Sequence, residues 1–230
     1  MSFKITGSGS CIPSVVQNND TFLNHSFYDE SGSEFDIENQ TIIEKFSSIT
    51  GINQRKYISA NLTTSDIAYQ AAKSAIKDAD IDPETLDYII LAHNFGDITC
   101  NSKQIDTLPS LASRVKAKLK IKNPECIAYD VLFGCPGWIE GMIQAQAFIK
   151  AKMAQKCLVI GADALSRVID SHDRASMIYA DGAGAIVLEK SSQEGGILSH
   201  CTLTFTAEDE ANFIFYGKSS KKGECNGDKF

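Results

Sequence analysis

The chain has 230 residues, 43% of them hydrophobic and 22% charged, which is enough apolar content for a substantial core in one large domain or two small ones. Its net charge of −7 argues against nucleic acid as a bulk partner, and no apolar run approaches the length of a membrane span. Met1–Gly7 carries no apolar leader segment. The seven cysteines include no Cys-x-x-Cys pair, so the chain reads as cytoplasmic, with reduced thiols and neither a zinc site nor a redox motif.

In chain order, Lys4–Ile12 reads as a strand closed by Pro13. Residues 24–40 are polar and acidic and read as a surface insertion before a helix over Gln40–Ile49, which Gly51 stops. Thr63–Asp66 is a run of capping residues, and an alanine-rich helix follows over Ile67–Asp78. Pro83 breaks the chain before a buried strand over Leu86–Ala92. A long polar loop, His93–Asp106, leads to a helix over Pro109–Leu119 with proline in its first turn. Then come a strand over Cys126–Val131, a helix over Pro136–Ala151 and a strand over Lys156–Gly161. Ala183–Leu188 and Gly196–Phe205 read as two further strands. The alternation implies an α/β fold, a largely parallel sheet with helices on both faces.

The most informative segment is Cys126–Trp138. A β-type run ends in Gly134-Cys135-Pro136-Gly137, and a helix of mostly apolar and small residues follows. Cys135 therefore sits at a strand-to-helix turn, at the N-terminal end of a buried helix. Unpaired helix N–H groups and the helix dipole favour negative charge on a sulfur placed there, which makes it a candidate nucleophile for acyl groups. Pro136 fits a first-turn position, where its missing N–H costs nothing. Gly134 and Gly137 let a substrate approach the backbone, and the Cys135 N–H is available as an oxyanion donor.

Asp181-Gly182-Ala183-Gly184-Ala185 precedes a strand, whereas a phosphate loop follows a strand and opens a helix. Close backbone packing beside a site is the better reading, with Asp181 holding the turn through its side-chain oxygens. A Cys–His hydrolase would need a base among His25, His93, His172 and His200; His93 follows a core strand and could share a sheet edge with Cys135, although a loop histidine satisfied by its neighbours reads better. Arg114, Lys116, Lys118, Lys120 and Lys122 read as a solvated helix face, with an acidic carrier protein as the alternative.

Taken together, several segments resemble the N-terminal half of a β-ketoacyl-acyl-carrier-protein synthase III, of the thiolase-like condensing enzymes. They are Gly7–Ser10 with Pro13, Thr50-Gly51-Ile52 with Arg55, Asp130–Gly137, Leu158–Asp163, Leu165-Ser166-Arg167, Asp173-Arg174 and Asp181–Ala185. The resemblance implies a thiolase-like domain over residues 1–206 with a mixed, mostly parallel five-stranded sheet. Residues 207–230 would then be a polar tail at the start of a missing C-terminal half.

It implies an acyltransferase in fatty acid or polyketide-type biosynthesis. Cys135 would take an acyl group from coenzyme A or acyl carrier protein, and a malonyl-type thioester would then lose carbon dioxide and condense with it. No cofactor or metal is implied; the substrates are acyl-CoA or acyl-ACP and malonyl-ACP. Arg167 matches an arginine that flanks the adenine of coenzyme A, and Gly182 and Gly184 lie near the site. Lys45 and Ile49 stand where the family commonly has a tryptophan and an arginine, which leaves a carrier-borne acyl group plausible. Pro136 and Trp138 replace a small residue and a phenylalanine, so Trp138 is expected to reshape the acyl pocket.

The family forms homodimers, in which a residue near Leu108 projects toward the partner's acyl pocket. The family's His and Asn follow in a second half of similar fold. The chain is then a fragment, or a subunit whose missing half another chain supplies; a non-catalytic partner that binds acyl carrier protein is the alternative function.

Overall fold

A five-stranded sheet organises the chain, and the computed structural model describes residues 2–29, 31–102, 104–207, 217–221 and 228–229. The elements are β1 (Ser2–Cys11), β2 (Val15–Asn18), α1 (Asn39–Thr50), β3 (Gln54–Tyr57), α2 (Thr64–Asp78), β4 (Tyr88–Ala92) and α3 (Leu111–Lys118). They continue with β5 (Ile127–Val131), α4 (Gly137–Lys150), β6 (Lys156–Ala164), β7 (Asp181–Ser191), β8 (Gly217–Lys218) and β9 (Asp228–Lys229). The sheet order is β1-β7-β6-β4-β5, with β4 parallel to β5 and β6, β7 antiparallel to β6, and β1 antiparallel to β7. Strands β1, β6, β4 and β5 thus point one way and β7 alone runs back.

Every residue of β4 is buried, as expected of a central strand covered on both faces. Period-two alternation sends Ile89 and Leu91 into one core with α2 and α3, and Tyr88, Ile90 and Ala92 into a second core with α4. The crossovers β4-α3-β5 and β5-α4-β6 therefore put helices on opposite faces, and the connection returns past β4. Such a reversal opens a crevice at the C-terminal ends of the strands.

Helix α2 starts at a capping box, in which the Thr63 side chain takes the backbone N–H of Asp66 and the Asp66 carboxylate takes that of Thr63. Its alanine face lies almost on the backbone of β1: a Cβ at Gly9 would stand 2.3 Å from the Ala71 carbonyl oxygen, and one at Gly7 2.4 Å from that of Ala75. Gly51 ends α1 in the left-handed region at φ +70°, as its sequence position predicts.

Several expectations change. Helix α3 begins at Leu111, not Pro109, because Ser110 Oγ accepts from Ser113 N–H and the Asp130 carboxylate accepts from Leu111 and Ala112 N–H. The Leu108–Pro109 peptide is cis. Residues 196–205 form no strand; Gln146 on α4 takes the Ile197 N–H and donates to its carbonyl, in place of a neighbouring strand. The short β2 and β3 were not expected and pair with each other. Residues 24–40 are also not simply surface. Phe27 is buried with Phe22, Ile42, Ile43 and Met177, and Tyr28 N–H donates to His172 O at 2.9 Å. The expected 207–230 tail lies mostly outside the described residues; within the part described, Ser219 Oγ and Ser220 N–H donate to Asp170. Among the described residues no helix is long and apolar enough to cross a membrane.

Candidate active site

The turn after β5 puts Cys135 at the mouth of α4. Gly134 adopts φ +70°, which favours glycine, and its carbonyl accepts from Gly137 N–H at 3.0 Å. Pro136 lies at the cap position, one residue before the helix rather than in its first turn, and its carbonyl accepts from Ile139 and Glu140. Cys135 is exposed, and its N–H donates to no described group.

Small residues let α4 lie directly on the sheet. A Cβ at Gly137 would meet Ala92 Cβ at 3.1 Å, and one at Gly141 would meet Val159 Cγ1 at 3.0 Å. The helix is buried on that face only, with Ile139 54% exposed on the other. Gly137 therefore acts as a packing residue beneath the turn.

A cleft of about 400 Å³ opens at the C-terminal ends of β4, β5 and β6. Cys135, Trp138, Gly134, Gly182 and Gly184 all line it, and so do two side chains absent from the sequence-based candidates, Asn94 and Asp163. Trp138 lies over Gly161, where an added Cβ would be 3.2 Å from the indole's Cδ1. Gly161 pairs with Gly184 across β6 and β7, and Asp163 with Gly182, so one wall of the cleft is nearly bare backbone. Burial pushes the Asp163 carboxyl up, against the lowering effect of hydrogen bonds from Asn94.

His93 reaches the same cleft, as the hydrolase reading required, but cannot serve Cys135 as a base. Its Nδ1 accepts from Gly96 N–H at 3.0 Å, which leaves the proton on Nε2, 3.0 Å from Asp130 Oδ2. Both ring nitrogens are engaged and the residue is 3% exposed. Asp130 thereby ties His93 to the start of α3.

The remaining candidates lie elsewhere. Asp181 is buried and holds a turn: Oδ1 accepts from Ser166 N–H, and Oδ2 from Ser166 Oγ and Ile58 N–H. Arg167 donates to Ser59 O at 2.9 Å and Leu108 is 84% exposed; neither lines the cleft. Asp163 carried a signal as a carboxylate just past the apolar run Cys157–Ile160, although it lies inside β6, one residue from its end. Asn94 carried none beyond its position after β4. Among the described residues no group of three or more His, Cys, Asp and Glu side chains is placed to hold a metal ion.

Residues 129–204, which contain this turn and most of the cleft, match the family model for 3-oxoacyl-[acyl-carrier-protein] synthase III. The chain is 35% identical over 220 residues to the β-ketoacyl-[acyl-carrier-protein] synthase III of Erythrobacter litoralis, covering 94% of this chain and 61% of that one. Against synthase III 1 of Vibrio parahaemolyticus the identity is 38%, covering 86% of this chain and 56% of the relative. The crystal structure of the Aquifex aeolicus synthase III superposes with a TM-score of 0.67 at 32% identity, covering 84% of this chain and 55% of that one. The chain thus spans little more than half the length of the relatives it matches.

Proposed function

We propose, for a chain that belongs to the 3-oxoacyl-[acyl-carrier-protein] synthase III family, that Cys135 is the acylated nucleophile of a condensing acyltransferase. The observation that carries this is Cys135 itself, exposed at the mouth of α4 and inside a cleft at the strand ends. Its sulfur attacks the carbonyl carbon of an acyl thioester. The new C–S bond forms as the carrier's C–S bond breaks, and the departing thiolate takes up a proton. The Cys135 N–H is a donor for the developing oxyanion, and the positive end of α4 faces the same charge.

In the second half-reaction a malonyl-type thioester loses carbon dioxide, and the electron pair of the broken C–C bond becomes an enolate. The enolate carbon attacks the acyl-Cys135 carbonyl and expels the Cys135 thiolate, giving a β-ketoacyl thioester. Acyl carrier protein is the proposed carrier, in a homodimer or with a second chain that completes the site. Trp138 and Arg167 are the proposed substrate-binding residues, and Leu108 the one offered to a dimer partner.

Intact-protein and peptide mass spectrometry after incubation with acyl-CoA and acyl-ACP should find one acyl adduct, on Cys135, that Cys135→Ala abolishes. An adduct spread over Cys135 and Cys201 alike, or none with either donor, would reject the assignment.

A further inference from the structure

Asn94 follows β4 by two residues and lines the cleft that holds Cys135. Its backbone N–H donates to Asp163 Oδ1 at 2.9 Å and its Nδ2 donates to Asp163 Oδ2 at 2.7 Å. A carboxylate offers acceptors alone, so the amide has one satisfied orientation, with Nδ2 toward Asp163 and Oδ1 turned away. The bond is charge-assisted and holds that orientation more firmly than a neutral partner would. No described group donates to Oδ1. A half-buried carboxylate is thus spent on fixing a hydrogen-bond acceptor in the cleft that holds Cys135.

We propose that Asn94, oriented by Asp163, is a specificity-determining acceptor that selects acyl groups carrying an N–H or O–H donor close to the carbonyl attacked by Cys135. Asp163 is a positioning residue that acts through Asn94. The acyl part of this inference rests on the acyl-transfer reading above; the acceptor itself does not.

The test compares alkylation of Cys135 by iodoacetamide and by N,N-dimethyl-iodoacetamide, which lacks the N–H donors, with N-acetylcysteine as the free-thiol reference. In the unaltered chain the ratio of the two rates should exceed the free-thiol ratio about 3- to 10-fold, the worth of one net hydrogen bond. Asn94→Leu should return the ratio to the free-thiol value. Asp163→Asn should do the same, because the introduced amide can donate to Asn94 and turn its oxygen inward. That variant changes almost no volume, so a steric account of the reagent preference predicts no effect from it. Circular dichroism checks that each variant is folded; if Asn94→Leu is not, Asp163→Asn and the wild-type ratio decide. A wild-type ratio equal to that of the free thiol, or a preference that survives Asp163→Asn, overturns the proposal.

A second arm uses acyl-CoA with and without a 3-hydroxyl. Faster acylation by the hydroxyacyl form, lost in Asn94→Leu, places the donor in the acyl group, and equal acylation by both forms overturns that assignment. If neither thioester acylates Cys135, the acyl-transfer reading fails while the alkylation ratio still decides the acceptor.

Discussion

The six described cysteines differ chiefly in what surrounds the sulfur. Cys157 lies wholly within the α4-side core, and burial pushes its thiol up to about 12. Burial also raises Cys126 and, at the rim of the other core, Cys11. Cys135 and Cys201 are exposed. Because the thiolate is the reacting form, limited iodoacetamide treatment near neutral pH should label Cys135 and Cys201 ahead of Cys11. Cys126 and Cys157 should stay unmodified until the chain is unfolded. Peptide mapping over time checks this, and early labelling of Cys157 would contradict the packing described. At this scale the sequence was a good guide. A strand, a glycine turn and a helix of small residues place Cys135 at the mouth of α4 by local grammar alone. It could not place His93, whose engagement with Asp130 and Gly96 depends on how β4 and β5 are paired.

Glycine divides into two kinds at the level of elements. Gly9 is needed for packing, because an added Cβ would collide with the α2 backbone at 2.3 Å. Gly9→Ala should therefore lower stability by about 1–3 kcal/mol, read as a shifted urea midpoint, since backbone on both sides must move. Gly184 is different: a Cβ there has nothing within 4 Å, and the residue lines the cleft. Gly184→Val should leave the urea midpoint unchanged or slightly raised, because a branched side chain suits a strand better than glycine. Its side chain should nevertheless obstruct the cleft and slow acylation of Cys135 at least about tenfold. A large loss of stability in Gly184→Val, with acylation intact, would refute this division. The long elements were legible because their caps and periodicity are written locally, as at Thr63–Asp66 and Gly51. The short β2 and β3 were not, since Val15-Val16-Gln17-Asn18 and Gln54-Arg55-Lys56-Tyr57 carry no apolar–polar alternation to read. Residues 196–205 have strand composition, but β-propensity reflects neighbours, and there a helix side chain supplies the hydrogen bonds instead.

For the molecule as a whole, the cleft was harder to foresee than the position of Cys135. Asn94 and Asp163 are 69 residues apart, and only the parallel pairing of Ala92 with Gly161 brings them together. The same long-range order gives the fold its acid response. Glu84, before β4, accepts from Lys122 and Asn123 N–H beyond α3, each at 2.8 Å, and these bonds hold its carboxyl below the usual range. The Arg114 guanidinium does the same for Asp106. A carboxyl lowered in the folded state binds fewer protons there than in the unfolded chain. Its stabilisation is complete above the unfolded value, about 4.3 for glutamate, and is lost as pH falls through the lower folded value. Asp163 has the opposite sign, because burial raises its folded value and protonation on acidification favours the folded form. Glu84→Gln leaves one acceptor oxygen for two N–H groups, so the variant should be less stable than the wild type at neutral pH. The gap should close as pH drops below the glutamate range, where the wild-type carboxyl is protonated as well. Urea midpoints of both chains across that range measure it directly. A gap that stays constant down to the lowest pH would mean that Glu84 contributes through shape and not through its charge.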